Sequence, residues 1–524
     1  MAQPEAKLKE LKPADLKQQV ASRRDLVVTI NRRSAERLIP CGDEFLYQKL
    51  PVGTRVIYSP PPLEELPDAG QAIRYALLRP ENSDPLFAQL NPNLRVTIAI
   101  DDLCSPLPQM RRPDLRERIL NAILQTLGDY GVDDVHVVLA TGLRRRLTEN
   151  EIRRVVGDQA FKQFWPDRLY NFDAENKSEL VGLGKTDRNE EVWISRRAAE
   201  SDLLINVGLR QAASDPARAP GLGLTPYQTV RHLYQTEGGA DRISRVISEH
   251  LNVFAVEATT NNHMYGPALD FLHKNEDAFN DWDRTRLKGM RWALENMSNE
   301  FRRRVTQQYA APYGMTGVWA GRTEMVRQKA AARAFQQHAV PISGQTDILI
   351  LGVPAVGAYD VNSIMNPILV HATALGHLFG FQRGKPLVRE GGTVIVCHPL
   401  RDAFHPEHHP SYIEFFHRCL AEGREVGEFE AEFARNPTYI HMYRYGHAYH
   451  GVHPFHAWHQ GDAARRHVGR VIAAGCEDPA VAARLGWDAA DSLDEAIAMA
   501  TSDLGRSASI TYLHLPPLVI ADVE

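Results

Sequence analysis

The chain has 524 residues, 44% hydrophobic and 24% charged, with a formal net charge of −5 from 60 basic and 65 acidic side chains. That length exceeds one ordinary core, so two domains are expected, and the small acidic surplus argues against nucleic-acid or membrane-surface partners, which need excess base. Five scattered cysteines, none in a C-x-x-C pair, and a charged start without an apolar core (MAQPEAKLKELKPADLKQQV) read as a cytoplasmic protein with reduced thiols and no secretory signal. No apolar run reaches the ~20 residues of a membrane-spanning helix.

Past a Pro-rich stretch at 59–70, strand and helix signals alternate. VTIAI at 96–100 is a short β-branched run and reads as a buried strand. DLRERILNAILQTLGDYG at 114–131 places Leu115, Ile119 and Ile123 at fourfold spacing, the stripe of an amphipathic helix that ends at a glycine. VHVVLATG at 135–142 is the next strand, and Thr148 with Glu151 has the spacing of a capping box, so a helix starts near 149. DLLINVG at 202–208, DILILGV at 347–353 and GGTVIVCH at 391–398 repeat the strand pattern, with helices at 275–308 and 322–337. Such alternation predicts an α/β fold, with two domains of parallel-rich sheet flanked by helices and a cleft between them. The expected division is a charged leader at 1–45, an N-terminal domain at 46–290 and a C-terminal domain at 291–505. A last strand at 506–524 is placed to return to the first domain.

Ligands of open parallel sheets gather beyond the carboxyl ends of the strands. Two segments lie there. IDDLCSPLPQ at 100–109 follows the first strand, and Asp102 reads either as a turn former or as a carboxylate aimed into a cleft. LATGLRRRLT at 139–148 carries three arginines into the start of a helix, where backbone N–H groups favour anions. Arg144 and Arg145 are candidates to grip a carboxylate or phosphate; Arg146 reads as surface.

These segments, with LGKTDRNEEVWISRRAAESDLLINVG at 183–208, GLTPYQTVRH at 223–232 and DILILGVPAVGAYDVN at 347–362, come in the order found in the lactate racemase family, which the chain resembles from about residue 45 onward. The resemblance implies a racemase or epimerase of 2-hydroxy acids that works by hydride transfer in an inter-domain cleft. It further implies a nickel-pincer nucleotide tethered by a lysine, two proton-carrying histidines and an arginine on the substrate carboxylate. Several of those positions differ here. Ser105 stands where the carboxylate-binding arginine is expected, and Arg144 replaces a catalytic histidine. The tethering lysine is not found in SDPARAPGLGL, nor is the later family lysine in SIMNPIL. Since Arg stays protonated, Arg144 can clamp an anion but cannot shuttle a proton.

Twelve of the 21 histidines fall between His398 and His467, five of them three apart in GHAYHGVHPFHAWHQ. Steps of three drift by ~60° on a helix, and Gly451 and Pro454 are expected to break one, so an irregular, aromatic-packed loop over the cleft is expected. His450 and His453, with His232 from TVRHLY, are the candidate metal ligands; the metal itself is not specified. The sequence thus points to a lactate racemase-like isomerase of a small anionic 2-hydroxy acid, with Asp102, Arg144 and His232 as catalytic candidates and Ser105, Arg144 and Arg145 on the anion. Two alternatives stand beside it. One is a diverged member without the nickel-pincer nucleotide, binding an anion or doing other metal-assisted chemistry; the other is a non-catalytic partner of an active homologue. Homo-oligomerisation is left open.

Overall fold

The computed structural model describes residues 22–102, 107–211, 221–231, 233, 238–355, 363–422 and 425–524. Two larger sheets organise the chain. The first has six strands in the order Met315–Gly321, Val253–Thr260, Leu203–Arg210, Arg95–Asp101, Asp134–Ala140 and Leu169–Asn171. All neighbours are parallel except the outer Met315–Gly321, which runs against Val253–Thr260. Leu203–Arg210 is buried at every position, as a strand covered on both faces must be.

Local chemistry sets the helices of this half. Asp114 caps the helix Leu115–Asp129 by accepting from Arg116 N, while Ile119, Leu120 and Ile123 face inward. Thr148 and Glu151 close the expected capping box at the start of Glu149–Phe164. The first strand, Arg95–Asp101, lies inside the sheet. The chain builds outward on one side of it to Leu169–Asn171, then returns to add Leu203–Arg210 on the other side. That reversal opens the crevice at the carboxyl ends where ligands bind in open α/β sheets.

The second sheet runs Val27–Thr29, Arg55–Ile57, Ile510–Leu513, Thr346–Pro354, Val388–Cys397, Arg470–Ala474 and Asp488–Ala490. Arg37–Gly42 joins the carboxyl end of Thr346–Pro354 and turns back as Glu44–Gln48. Two expectations are corrected here. The leader drawn through residue 45 contains sheet strands from Val27 onward, and Arg37–Gly42 is buried along its whole length. The first sheet reaches Gly321, beyond the boundary drawn at 290. The terminal residues divide between two sheets: Ile510–Leu513 lies in the second sheet between Ile348–Leu351 and Arg55–Ile57, while Ile520–Val523 joins Ala339–Ile342 and Gln382–Gly384 in a separate three-stranded sheet.

A buried polar junction ties the helical section to this second sheet. Glu276 accepts from Leu38 N (2.9 Å), Tyr58 Oη (2.6 Å) and His514 Nε2 (3.1 Å). No helix among the described residues is long and apolar enough to cross a membrane.

Candidate active site

At the carboxyl edge of the first sheet the strands Arg95–Asp101 and Asp134–Ala140 end side by side. Asp102 leaves the first and Arg144 follows the second. Arg144 Nε donates to Asp102 Oδ2 at 2.5 Å, with side-chain exposures of 17% and 7%. A pair this buried is held by its surroundings, and Arg116 supplies part of the hold. Its guanidinium bonds Asp114 through two atoms (3.0 and 2.8 Å) and also donates to the carbonyls of Asp101 (3.0 Å) and Asp102 (2.5 Å). The backbone carrying the Asp102 carboxylate is therefore fixed from the next helix.

The GLTPY segment closes a second side. Gly142 N donates to Gly223 O at 2.9 Å. A Cβ on Gly223 would lie 2.2 Å from Ala140 O, so only glycine permits this approach.

The histidine-rich section covers the third side. Tyr443 Oη donates to Gly142 O at 2.8 Å, His450 N donates to Leu143 O at 3.1 Å, and Arg146 Nη1 donates to Arg444 O at 3.0 Å. The section is not the wholly irregular loop expected: His453–His459 is a helix of about two turns with Pro454 in its first turn. There the missing N–H of proline costs no intrahelical bond, so the residue starts the helix instead of breaking it. His453 and His456 sit one turn apart and line, with Thr141, Gly142, Arg144 and Gly223, a narrow cavity.

Each imidazole has its own environment. His453 Nδ1 and Tyr412 Oη are 2.6 Å apart. Burial above all, then the neighbouring His456 imidazole and the Arg144 guanidinium, hold His453 well below the ordinary histidine range. Burial likewise takes His456 to about 3. Both rings are neutral at physiological pH, as a base or a hydrogen-bonding group requires.

The other candidates fall as follows. Arg145 is turned into the protein, bonded to Glu151 through both nitrogens at 2.9 and 2.5 Å. Glu151 also accepts from Thr148 N at 2.8 Å, so Arg145 completes the helix start, and its assignment to an anion is replaced by that structural role. His450 is also engaged: Nε2 meets Glu175 Oε1 at 2.9 Å, and Nδ1 accepts from Val452 N at 3.3 Å. His450 and His453 thus belong to different hydrogen-bond pairs. Among the described residues no three His, Cys, Asp or Glu side chains could together hold a metal ion, a set to which His232, the third candidate ligand, does not belong. Ser105 and His232 lie outside the described residues.

Sequence reasoning missed His456, Tyr412 and Gly223. His456 shares the threefold spacing of its neighbours and could have been chosen from it. Tyr412 carries no sequence signal, because it lies 41 residues from the ring it meets.

A doubly wound, mostly parallel sheet flanked by helices defines an α/β protein of the open-sheet class. The fold resembles the lactate racemase apoprotein of Thermoanaerobacterium thermosaccharolyticum, with a TM-score of 0.59 at 15% identity over 94% of this chain and 100% of that one. A Thermotoga maritima protein aligns at a TM-score of 0.48 and 13% identity, over 88% and 100%. No curated protein sequence matches. Residues 43–211 match the lactate racemase N-terminal domain.

Proposed function

We propose that the protein is a lactate racemase-like isomerase acting on a small 2-hydroxy acid, with the substrate carboxylate on Arg144. In this reading the two sheets are the two domains, and the cleft is the line where residues 443–456 meet residues 142–146. The observation that carries it is the convergence of Arg144, itself paired with the buried Asp102, and two neutral imidazoles on one cavity at the crossover edge of the first sheet. A guanidinium held by one carboxylate still offers N–H groups to a second.

The nickel-pincer nucleotide implied by the resemblance fits poorly. Among the described residues the cavity has no lysine in its lining, the segment SDPARAPGLGL supplies none, and the imidazoles are paired with Tyr412 and Glu175 instead of grouped around a metal position. The donor set therefore does not suit a lysine-tethered nickel nucleotide, and the residues account for binding and orientation alone.

That misfit favours a second reading, a diverged member that binds the hydroxy acid without that nucleotide. One experiment separates them. The protein is produced with and without the enzymes that make the nucleotide, its intact mass is recorded, and inversion of D- and L-lactate and of sugar-derived 2-hydroxy acids is followed by chiral chromatography. Inversion of any of these acids supports the isomerase. Binding without inversion, at unchanged mass in both preparations, sinks it and leaves the second reading.

A further inference from the structure

We propose that the carboxyl edge of the second sheet holds a separate binding site for inorganic phosphate, in which the buried carboxylate of Asp43 accepts the proton the anion still carries. The site shares no lining residue with the Arg144 cavity, and the proposal does not depend on the isomerase reading.

Three strand ends make this second cavity. Arg37–Gly42 and Val388–Cys397 both run parallel to Thr346–Pro354, one on each side of its carboxyl end, where ligands of such sheets collect. The chain leaving the strands contributes Asp43, Ala355, His398 and Arg401, and the helix Asn299–Gln308 adds Arg303. Gly42 has a φ of +63°, and a Cβ on it would stand 3.0 Å from Pro399 Cδ and 3.4 Å from His398 Nε2. Glycine therefore keeps the space before that nitrogen clear.

The polar groups of the lining lack partners of their own. His398 is 6% exposed, and burial brings it to about 3, so the ring is neutral. Its Nδ1 accepts from Leu400 N at 3.0 Å, which leaves the ring proton on Nε2. That N–H has no hydrogen-bond partner among the described residues. The turn that sets the tautomer is strained: Leu400 has a φ of +45°, a region otherwise taken among the described non-glycine residues by Asn82 and Asn189, and such strain clusters at ligand sites. Asp43 is 8% exposed, and its Oδ2 has no hydrogen-bond partner among the described residues. The cations beside it are Arg401 Nη1, 3.5 Å from Oδ1, and Arg302 Nε, 3.8 Å from Oδ2, both farther than a hydrogen bond reaches. Arg401 gives Nε and Nη2 to Glu477 at 2.7 and 2.6 Å, and the Arg303 guanidinium has no ion-pair partner among the described residues.

A buried carboxylate that accepts no bond, beside a ring N–H that donates none, calls for one ligand with both an acceptor and a donor. The arginines require that ligand to be anionic. Hydrogen phosphate meets all three demands, with ionised oxygens for His398 and Arg303 and a P–O–H for Asp43. Sulfate has the same shape and charge but no proton near neutral pH, so it would set a bare oxygen against the carboxylate. A phosphomonoester has released its last proton above about pH 6 and suffers the same repulsion.

The test is calorimetric titration of the full chain, at fixed ionic strength and slightly alkaline pH, with phosphate, sulfate and methyl phosphate. The wild type is expected to favour phosphate over each of the others by about tenfold or more. Arg303→Ala should weaken phosphate by about tenfold and keep the preference. Asp43→Asn, which puts an amide N–H where a carboxylate oxygen stood, should bring sulfate to parity with phosphate. If that variant does not fold, the wild-type preference and the Arg303 variant still decide. Saturating L-lactate should leave the phosphate isotherm unchanged. The proposal is overturned by any of five results: no phosphate binding, parity in the wild type, indifference to Arg303→Ala, a preference that survives in folded Asp43→Asn, or competition from lactate. Failure of lactate to bind or to be inverted removes only the isomerase.

Discussion

At the scale of single residues, the two arginines that follow Gly142 show how one local pattern yields two fates. Arg144 meets a carboxylate at the site edge, whereas Arg145 meets a carboxylate that caps a helix. Arg144→Ala leaves Asp102 buried without its cation, so a loss of about 3–5 kcal/mol in urea unfolding is expected alongside the loss of acid binding. Arg145→Ala should cost stability of the same order and leave acid binding intact in whatever fraction folds. His371 gives the opposite case. It is fully buried, neither ring nitrogen has a hydrogen-bond partner among the described residues, and it stacks on Trp458 at 4.2 Å between centroids. Replacing a polar ring that makes no bond by an apolar ring of similar shape removes a desolvation cost, so His371→Phe should keep or raise the thermal midpoint. The turn carrying Arg144 was legible as the carboxyl end of a parallel strand, where an arginine has few places to go. The role of Arg145 was not, although both halves of its explanation, the arginine and the Thr148–Glu151 box, were visible. Their meeting depends on how the turn folds back on the helix start.

At the scale of elements, the regular parts followed their periodicity. The strands Arg95–Asp101, Asp134–Ala140, Leu203–Arg210 and Thr346–Pro354, and the helices between them, lie where apolar spacing and capping put them. The histidine-rich section did not, because Pro454 acts at the first turn of a helix and threefold spacing mixes two faces. In it His453 and His456 look into the cavity, while His459 turns to Asp462 at 3.0 Å. The packing beneath this helix is tight at Gly461, where a Cβ would fall 2.4 Å from the His371 ring. That ring is held between Trp458 and Trp487 and has nowhere to move. Gly461→Ala is expected to cost about 1–3 kcal/mol by overpacking, and in the double variant with His371→Ala most of that cost should vanish. A denaturant double-mutant cycle measures the coupling.

At the scale of the whole molecule, buried neutral histidines set the pH response. His338 is brought to about 4, and His398, His408 and His456 to about 3, each chiefly by burial; His371, His409 and His453 are likewise held well below the ordinary histidine range, again chiefly by burial. In the unfolded chain these rings titrate near 6.5. Below that pH the unfolded state takes up protons that the folded state refuses, so stability falls as pH drops. Each such ring contributes about 1.4 kcal/mol per pH unit until its folded value is reached. Asp347, held at about 2 by Arg389, adds its own loss only below the ordinary aspartate range. Urea midpoints should therefore be flat above pH 7 and fall steeply from about 6.5 to about 4.5; a midpoint that stays level over that interval contradicts the burial of these rings.

The pairing of Arg55–Ile57 with Ile510–Leu513 has a consequence for biosynthesis. A ribosome completes the Val27–Ile57 segment early and releases its sheet neighbour Ile510–Leu513 only after every strand of the first sheet has been made. Throughout that interval the nascent chain carries an apolar edge awaiting a partner, while the whole of the first sheet is already available to fold. Growth at reduced temperature or with extra chaperone should accordingly raise the yield of native material, and premature stop codons ahead of Ile510 should send the product to inclusion bodies.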